Sequence, residues 1–304
     1  AWSEPLEGVF PTRAKEDGEK IETFSFAGRS AVSPAVKTAR PKVFIPVFPG
    51  TNCEMDSKRA FERAGGEVEM QILANLTPEV LDESIHQMAK KIRQSQIIMI
   101  PGGFSGGDEP DGSAKFITAV FRNPAVSDAV TELLEKRDGL MLGICNGFQA
   151  LIKLGLVPYG KIVEAKEDAP TLTYNSIGRH ASCLVNTRIA SVKSPWLAGT
   201  EVGDIHTIPV SHGEGRFIAS DALIRELAEN GQIATQYVDM DGNPTSDIRF
   251  NPNNSNQAIE GILSPDGRIF GKMGHSERIG RNLYRNVLGN FDQKLFESGI
   301  NYFK

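Results

Sequence analysis

Cysteine is scarce in this chain. Three residues among 304, Cys53, Cys145 and Cys183, are scattered with no Cys-x-x-Cys pair, which excludes a disulfide framework or a thiolate zinc site and makes reduced thiols the default. No apolar run reaches the roughly 18 residues a membrane-spanning helix needs. The opening Ala1-Trp2-Ser3-Glu4-Pro5 lacks the basic start and apolar stretch of a signal peptide. An excess of positive charge is also missing: the net charge is −5, against a partner such as nucleic acid bound through a broad basic surface. His86, His180, His206 and His212 show no metal-ligand spacing, so no metal site is expected. There is no internal repeat and no low-complexity tract. What remains is the composition of an ordinary globular protein, 40% hydrophobic and 23% charged, with a cytoplasmic location expected and room for one large domain or two. The chain starts without a methionine, a hint of processing or of excision from a longer chain.

The order of patterns gives the fold class. Residues 1–40 carry charge clusters without a sustained period and read as a linker or wrapping arm, leaving 41–304 as the folded unit. Lys42–Phe48 is a buried strand that breaks at Pro49-Gly50-Thr51-Asn52-Cys53. A helix over 54–64 closes at Gly65-Gly66, a strand follows at Val68–Leu73, and Thr77-Pro78 opens a second helix with a cap and a first-turn proline. Gln96–Ile100 is a continuous apolar run ending in the glycine-rich 101–108; a helix is expected over 113–136 and a strand over Gly139–Ile144. This βαβα order predicts an α/β fold with a doubly wound, mostly parallel, flavodoxin-like sheet whose ligands bind beyond the carboxyl ends of the strands. After Pro158 the texture changes. Strands over 183–189, 205–210, 233–238, 258–262 and 269–273, with one helix near 220–230 and a hairpin turn at Asp266-Gly267, predict an antiparallel extension in the C-terminal half.

One cysteine stands where chemistry is expected. Gly143-Ile144-Cys145-Asn146-Gly147 lies between the apolar strand and a helical pattern. A strand that turns sharply into a helix holds its turn residue in a strained conformation, and flanking glycines remove side chains that would clash. The amide after Cys145 and the positive end of the helix then favour thiolate and oxyanion. A nucleophilic cysteine also needs a base, an orienter for that base and oxyanion donors. His275 emerges at the end of the last strand, and Glu277 two residues on falls on the same side of an extended segment. The tripeptide alone is ordinary polar loop; its position after a strand, downstream of an elbow, makes it a triad candidate. Cys53 follows a strand too but lacks flanking glycines and reads as structural, as does Cys183 within a strand. The loop at 101–108 lacks the spacing and lysine of a phosphate cradle, so Gly102 or Gly103 is the better fit to an oxyanion donor.

The Gly-x-Cys-x-Gly elbow, the earlier Pro101-Gly102-Gly103 and the later His275-Ser276-Glu277 resemble the class I, or triad, glutamine amidotransferases. Pro49–Glu54, Ser211–Phe217 and Asn251–Ser255 narrow the likeness to the glutaminase domains of the phosphoribosylformylglycinamidine synthases of purine biosynthesis. The resemblance implies that Cys145 attacks the side-chain amide of glutamine, that His275 protonates the departing ammonia and activates water, and that Glu277 orients His275. It implies an oxyanion hole from the backbone amides of Gly103 and Asn146, and places Gln149 beside the bound glutamine. No cofactor is implied for this chain; ATP and magnesium belong to a synthetase domain, the expected partner, which receives the ammonia. Residues 1–40 would then be an arm from an absent upstream domain, extended and poorly packed, with Phe24 and Phe26 intended for that domain. The alternatives are a stand-alone Cys-His-Glu hydrolase and an amidotransferase subunit of another pathway. Three positions depart from the pattern: Ser276 stands where proline is common, Asn254 where glycine is common, and Gly106 where many relatives have tyrosine.

Overall fold

A computed structural model describes residues 4–9, 21–105, 113–164, 166–280 and 282–304. After the short turn α1 (Glu4–Glu7), the first half alternates β1 (Lys42–Val47), α2 (Glu54–Ala64), β2 (Glu67–Ile72), α3 (Pro78–Gln94), β3 (Ile97–Ile100), α4 (Lys115–Phe121), α5 (Pro124–Lys136), β4 (Leu140–Ile144) and α6 (Asn146–Leu154). The caps follow local chemistry. Thr77 accepts from the amide of Val80 at 3.3 Å ahead of Pro78, and Gly65 ends α2 in the left-handed region at φ 94°, where a side chain would be strained. The helix expected over 113–136 is two helices, because Pro124 has no N–H to donate and its ring clashes with the preceding turn. Asn123 caps the second of them, accepting from Ala125 at 3.0 Å.

The second half adds the turn α7 (Leu156–Tyr159), β5 (Thr171–Tyr174), β6 (Ala181–Ile189), β7 (Ile205–His212), β8 (Glu214–Ile218), α8 (Asp221–Glu229), β9 (Ile233–Val238), β10 (Ile259–Leu263), β11 (Ile269–Lys272) and α9 (Leu295–Asn301). One nine-stranded sheet runs β2-β1-β3-β4-β11-β10-β9-β6-β7, and β5 with β8 forms a separate pair. Pairing is parallel from β2 to β11 and antiparallel from β10 to β7. Strand β11 is therefore the seam: parallel to β4, antiparallel to β10. That places the end of β11 beside the end of β4, with Lys272 in register with Ile144. The β5–β8 pair escapes the sequence pattern because β5 is only four residues long and β8 begins within a polar, glycine-bearing segment. The core is continuous across both halves, from Phe44, Phe61 and Ile98 through Phe148 and Leu151 to Trp196, Phe270 and Ile300.

The arm differs from expectation. Its described part, from residue 21, is extended and no residue of 21–40 is buried, as foreseen, but residues 22–26 are hydrogen-bonded to the sheet instead of awaiting another domain. Phe26 donates its amide to the Ala190 carbonyl at 2.8 Å and accepts from Val192 at 3.1 Å. The Phe24 amide donates to Gln236 Oε1 at 3.0 Å, Gln236 Nε2 donates to the Glu22 carbonyl at 2.8 Å, and Arg188 donates to the Phe24 carbonyl at 2.7 Å. Phe24 packs against the main core, and the Lys193 ammonium lies 5.9 Å from the Phe26 ring centroid. Backbone groups of an extended segment must find partners, and the Gln236 side chain of β9, the Arg188 side chain of β6 and the backbone of Ala190 and Val192 just past β6 supply them. Gln236, fully buried, is the main tie. Gln236→Ala is expected to destabilise the fold by about 2 kcal/mol through lost partners, read by urea denaturation, and to speed proteolytic cutting within residues 21–26; unchanged values for both would refute the strap.

Candidate active site

The elbow is built by close packing. Cys145 adopts φ 54°, ψ −107° between β4 and α6, a conformation that costs a non-glycine residue on the order of 1–3 kcal/mol. A Cβ at Gly147 would fall 2.0 Å from the Ile100 carbonyl oxygen, and one at Gly143 would fall 2.6 Å from Leu151 and 2.7 Å from the Gly147 oxygen. Helix α6 can start directly against the sheet only with both glycines in place. The Cys145 amide donates to the Lys272 carbonyl at 2.9 Å, so the nucleophile candidate hangs from the end of β11. Its side chain is 6% exposed, and its thiol points toward the Ser211 carbonyl at 3.7 Å.

His275 and Glu277 follow that same strand end, in a turn closed by the Arg278 amide on the His275 carbonyl at 3.1 Å rather than in the extended segment expected. His275 Nδ1 lies 2.7 Å from Glu277 Oε1 with both side chains buried. Gly102, at the end of β3, shows how tightly the pieces converge: a Cβ there would be 2.9 Å from His275 Cε1, 3.1 Å from Cys53 Sγ and 3.3 Å from Cys145 Cβ. Burial pulls the His275 pKa down, but the charge of Glu277 and hydrogen bonds from Cys145, Cys53 and Glu277 outweigh it, leaving the imidazole well above its ordinary 6.5. Nε2 of His275 makes no hydrogen bond of its own. Nδ1 therefore carries the proton toward Glu277, and Nε2 is the ring nitrogen left without a protein partner.

Cys53 sits at the heart of this cluster, a placement its sequence context did not signal. It is buried; its thiol donates to Asn52 Oδ1 at 3.0 Å, accepts from Arg278 at 3.1 Å and lies 3.8 Å from His275 Nδ1. Among the described residues Cys53, His275 and Glu277 bring their ligating atoms within 4.8 Å of one another. Arg278 donates to Cys53 and His275 is hydrogen-bonded to Glu277 within the same cluster. Cys183 is exposed on β6.

A cavity of about 560 Å³ opens in front of Cys145, lined by Gly103, Gln149, Tyr174, His212 and Glu214 among others. Asn146 begins α6 and ties it to the glycine loop, its Oδ1 accepting from the Ser105 amide at 3.3 Å and its Nδ2 donating to Gln149 Oε1 at 2.9 Å. Gln149 in turn donates to the Glu214 carbonyl. His212 was not foreseen as a site residue. Asn175 donates from Nδ2 to the carbonyls of Arg179 at 3.0 Å and His212 at 2.8 Å, so its Oδ1 accepts from His212 Nδ1 at 3.2 Å. The remaining Nε2 is a bare acceptor, buried and unpartnered. Burial and the nearby His275 and His180 push the His212 pKa down to about 3, which keeps that acceptor neutral.

Two of the segments that narrowed the resemblance, Ser211–Phe217 and Asn251–Ser255, are stitched together. Asn253 donates to the Gly215 carbonyl at 2.6 Å, Ser255 Oγ accepts from the Phe217 amide at 3.0 Å, and Arg216 donates to the Asn254 carbonyl at 3.1 Å. The loop 251–255 thus braces the start of β8, which follows His212 and carries Glu214. Asn254 holds φ 59°, a left-handed conformation that asparagine tolerates where glycine is common. Gly106 lies outside the described residues.

Comparison with known proteins shows the family. The family profile of the CobB/CobQ-like glutamine amidotransferase domain matches residues 40–303. Phosphoribosylformylglycinamidine synthase subunit PurQ of Methanococcus maripaludis is 35% identical over 244 residues, covering 78% of this chain and 82% of that protein. The subunit of the same name from Symbiobacterium thermophilum is 33% identical, covering 83% and 92%. Among solved structures, a chain of PurLQS from Thermotoga maritima superposes with a TM-score of 0.62 at 26% identity, covering 87% of this chain and all of that one. No described helix is long and apolar enough to cross a membrane. The chain belongs to the CobB/CobQ-like glutamine amidotransferase family.

Proposed function

We propose that this chain hydrolyses glutamine to glutamate and ammonia as the glutaminase part of phosphoribosylformylglycinamidine synthase, in the cytoplasm. The ammonia passes to a synthetase partner that uses ATP and magnesium to convert formylglycinamide ribonucleotide to its amidine. The observation that carries the chemistry is the meeting of Cys145 and His275 around Gly102, with Glu277 2.7 Å behind the imidazole. The likeness to the PurQ subunits carries the pathway.

In this reading the Cys145 sulfur attacks the side-chain amide carbon of glutamine, and the carbonyl oxygen takes up the negative charge. Backbone amides of Gly103 and Asn146 receive that oxyanion. The Cys145 amide is excluded from the task because it is already bound to Lys272. Protonated His275 gives its proton to the amide nitrogen, the C–N bond breaks, ammonia leaves and a thioester remains. His275, now neutral, takes a proton from water; the hydroxide adds to the thioester and glutamate departs with the C–S bond broken. Glu277 holds the ring and stabilises its charged form. Glutamine lies in the cavity beside Gln149, where the bare Nε2 of His212 accepts from one of its N–H groups.

The functional reading is tested by alkylation with a glutamine-mimicking chloroketone and peptide mass spectrometry. Modification of Cys145 that glutamine protects against is expected; modification at Cys53 instead would refute the assignment. Cys145→Ala is expected to lower glutaminase turnover about 10³-fold or more, measured with the synthetase subunit present, while Tm stays close to the parent's.

Glu277 supplies a pH test. Its carboxylate favours the imidazolium form, so Glu277→Gln is expected to bring the His275 pKa down from its raised value toward or below 6.5. Because the folded pKa is raised, the stabilisation from this pair is complete below the unfolded histidine pKa and is lost as pH rises through the folded one. Imidazole NMR titration of the two proteins measures the shift, and an unmoved titration would remove Glu277 from its role.

A further inference from the structure

One residue joins the nucleophile to the base. Lys272, the last residue of β11, accepts the Cys145 amide on its carbonyl at 2.9 Å. Its side chain is fully buried. The ammonium lies 3.1 Å from Glu260 Oε1 and donates to the Gly274 carbonyl and to Ser276 Oγ, each at 3.0 Å. Gly274 and Ser276 are the two neighbours of His275. Glu260 closes the circle, accepting from the Gly274 amide at 2.6 Å and from Thr235 Oγ1 at 2.5 Å. Ser276 passes the chain outward, donating to Gln293 Oε1 at 2.7 Å, and Gln293 Nε2 donates to Thr187 at 3.3 Å. A Cβ at Gly274 would fall 2.9 Å from Glu260 Oε1 and 3.1 Å from Lys272 Nζ, so the glycine before His275 is demanded by the ion pair itself.

We propose that Lys272, with Glu260 and Ser276, is a positioning device that sets His275 against Cys145. The inference rests on the triad reading above. A buried ion pair is a weak source of stability, because desolvation consumes most of its attraction. Here the ammonium is ion-paired with Glu260 and donates to the Gly274 carbonyl and Ser276 Oγ, and these last two flank the base. The segment is turned rather than extended, with the Ser276 amide donating to the Gly274 carbonyl and the Arg278 amide to the His275 carbonyl, each at 3.1 Å: Gly274 and Ser276 meet Lys272, while His275 meets Glu277 at 2.7 Å and lies 3.8 Å from Cys53. The clamp therefore fixes the peptide planes on either side of His275 without touching the reacting atoms. Displacement of a catalytic group by about 1 Å can cost on the order of 10²-fold in rate.

The test compares Ser276→Ala, Ser276→Thr and the charge-neutral pair Lys272→Met with Glu260→Gln in the full chain, with the synthetase subunit present for kinetics. Ser276→Ala is expected to lower kcat for glutamine hydrolysis about tenfold with KM within twofold, and to shift the His275 titration followed by NMR. Ser276→Thr, which keeps the hydroxyl, is expected to restore both. The double variant, where it folds, is expected to lose about 10²-fold in kcat. Parent-like kcat and parent-like His275 titration in Ser276→Ala overturn the proposal, as does a loss in Ser276→Ala that Ser276→Thr fails to repair. A parent protein that is not alkylated at Cys145 would instead count against the triad reading, and the NMR titrations would still decide whether the clamp holds the imidazole.

Discussion

Everything at the active end of this molecule depends on how closely helix α6 approaches the sheet. Gly147 lies so near Ile100 that no side chain fits between them, and Gly271 of β11 is similarly filled by Phe148, whose Cδ2 would be 2.1 Å from a Cβ there. The helix is locked by its own apolar residues. Phe148, Leu151 and Leu154 are fully buried, each contributing about 1.5–3 kcal/mol by the usual transfer scale. That is ample to hold Cys145 in a backbone conformation it would not choose. The strain and the packing are one feature: a helix free to move away from the sheet would let Cys145 relax and carry its sulfur away from His275.

The second constraint is topological. Bringing a strand from the far end of the chain between the parallel and antiparallel halves puts β11 beside β4, so residues 127 and more positions apart in sequence share one strand end; His275 follows Cys145 by 130. Parallel pairing matters here. It makes the carboxyl ends of β3, β4 and β11 coincide, and Gly102, Cys145 and His275 each lie just beyond one of them. The antiparallel half then brings residues 211–214, where the chain passes from β7 to the separate β5–β8 pair, to the cavity wall.

Much of this was legible in the sequence, and the reasons are local. Apolar runs bounded by glycine and proline mark β1, β3 and β4, and Thr77-Pro78 marks the start of α3, because each signal is set by a few adjacent residues. The elbow was legible because glycine spacing reports backbone crowding directly. Pro124, which divides the helix expected over 113–136, was also visible, and there the apolar period overrode the proline. What escaped depends on distant partners. Cys53 looks like a structural cysteine in its own loop and becomes part of the site only when Arg278 and His275 arrive from the other end of the chain. His212 is a bare acceptor only because Asn175 fixes its tautomer. The strap from residue 21 is extended with no residue of 21–40 buried, as expected, and what escaped was its tethering by hydrogen bonds from Gln236, Arg188 and the backbone near Ala190, which side-chain patterns in the arm do not announce.

The serine between His275 and Glu277 shows how a departure from a family pattern can be absorbed. A proline at 276 would supply neither the amide that Ser276 donates to the Gly274 carbonyl at 3.1 Å nor the hydroxyl that meets Lys272 and Gln293. A buried ammonium deprived of one acceptor is costly, more so when its remaining contacts cannot rearrange. Lys272, Gly274, Ser276 and Gln293 are thus one choice rather than four. Proline would stiffen the segment through its ring; this chain stiffens it through a buried cation, and the same cation's residue carries the nucleophile's backbone. The rigidity needed at His275 is met by hydrogen bonds whose loss can be measured one at a time, which a ring would not allow.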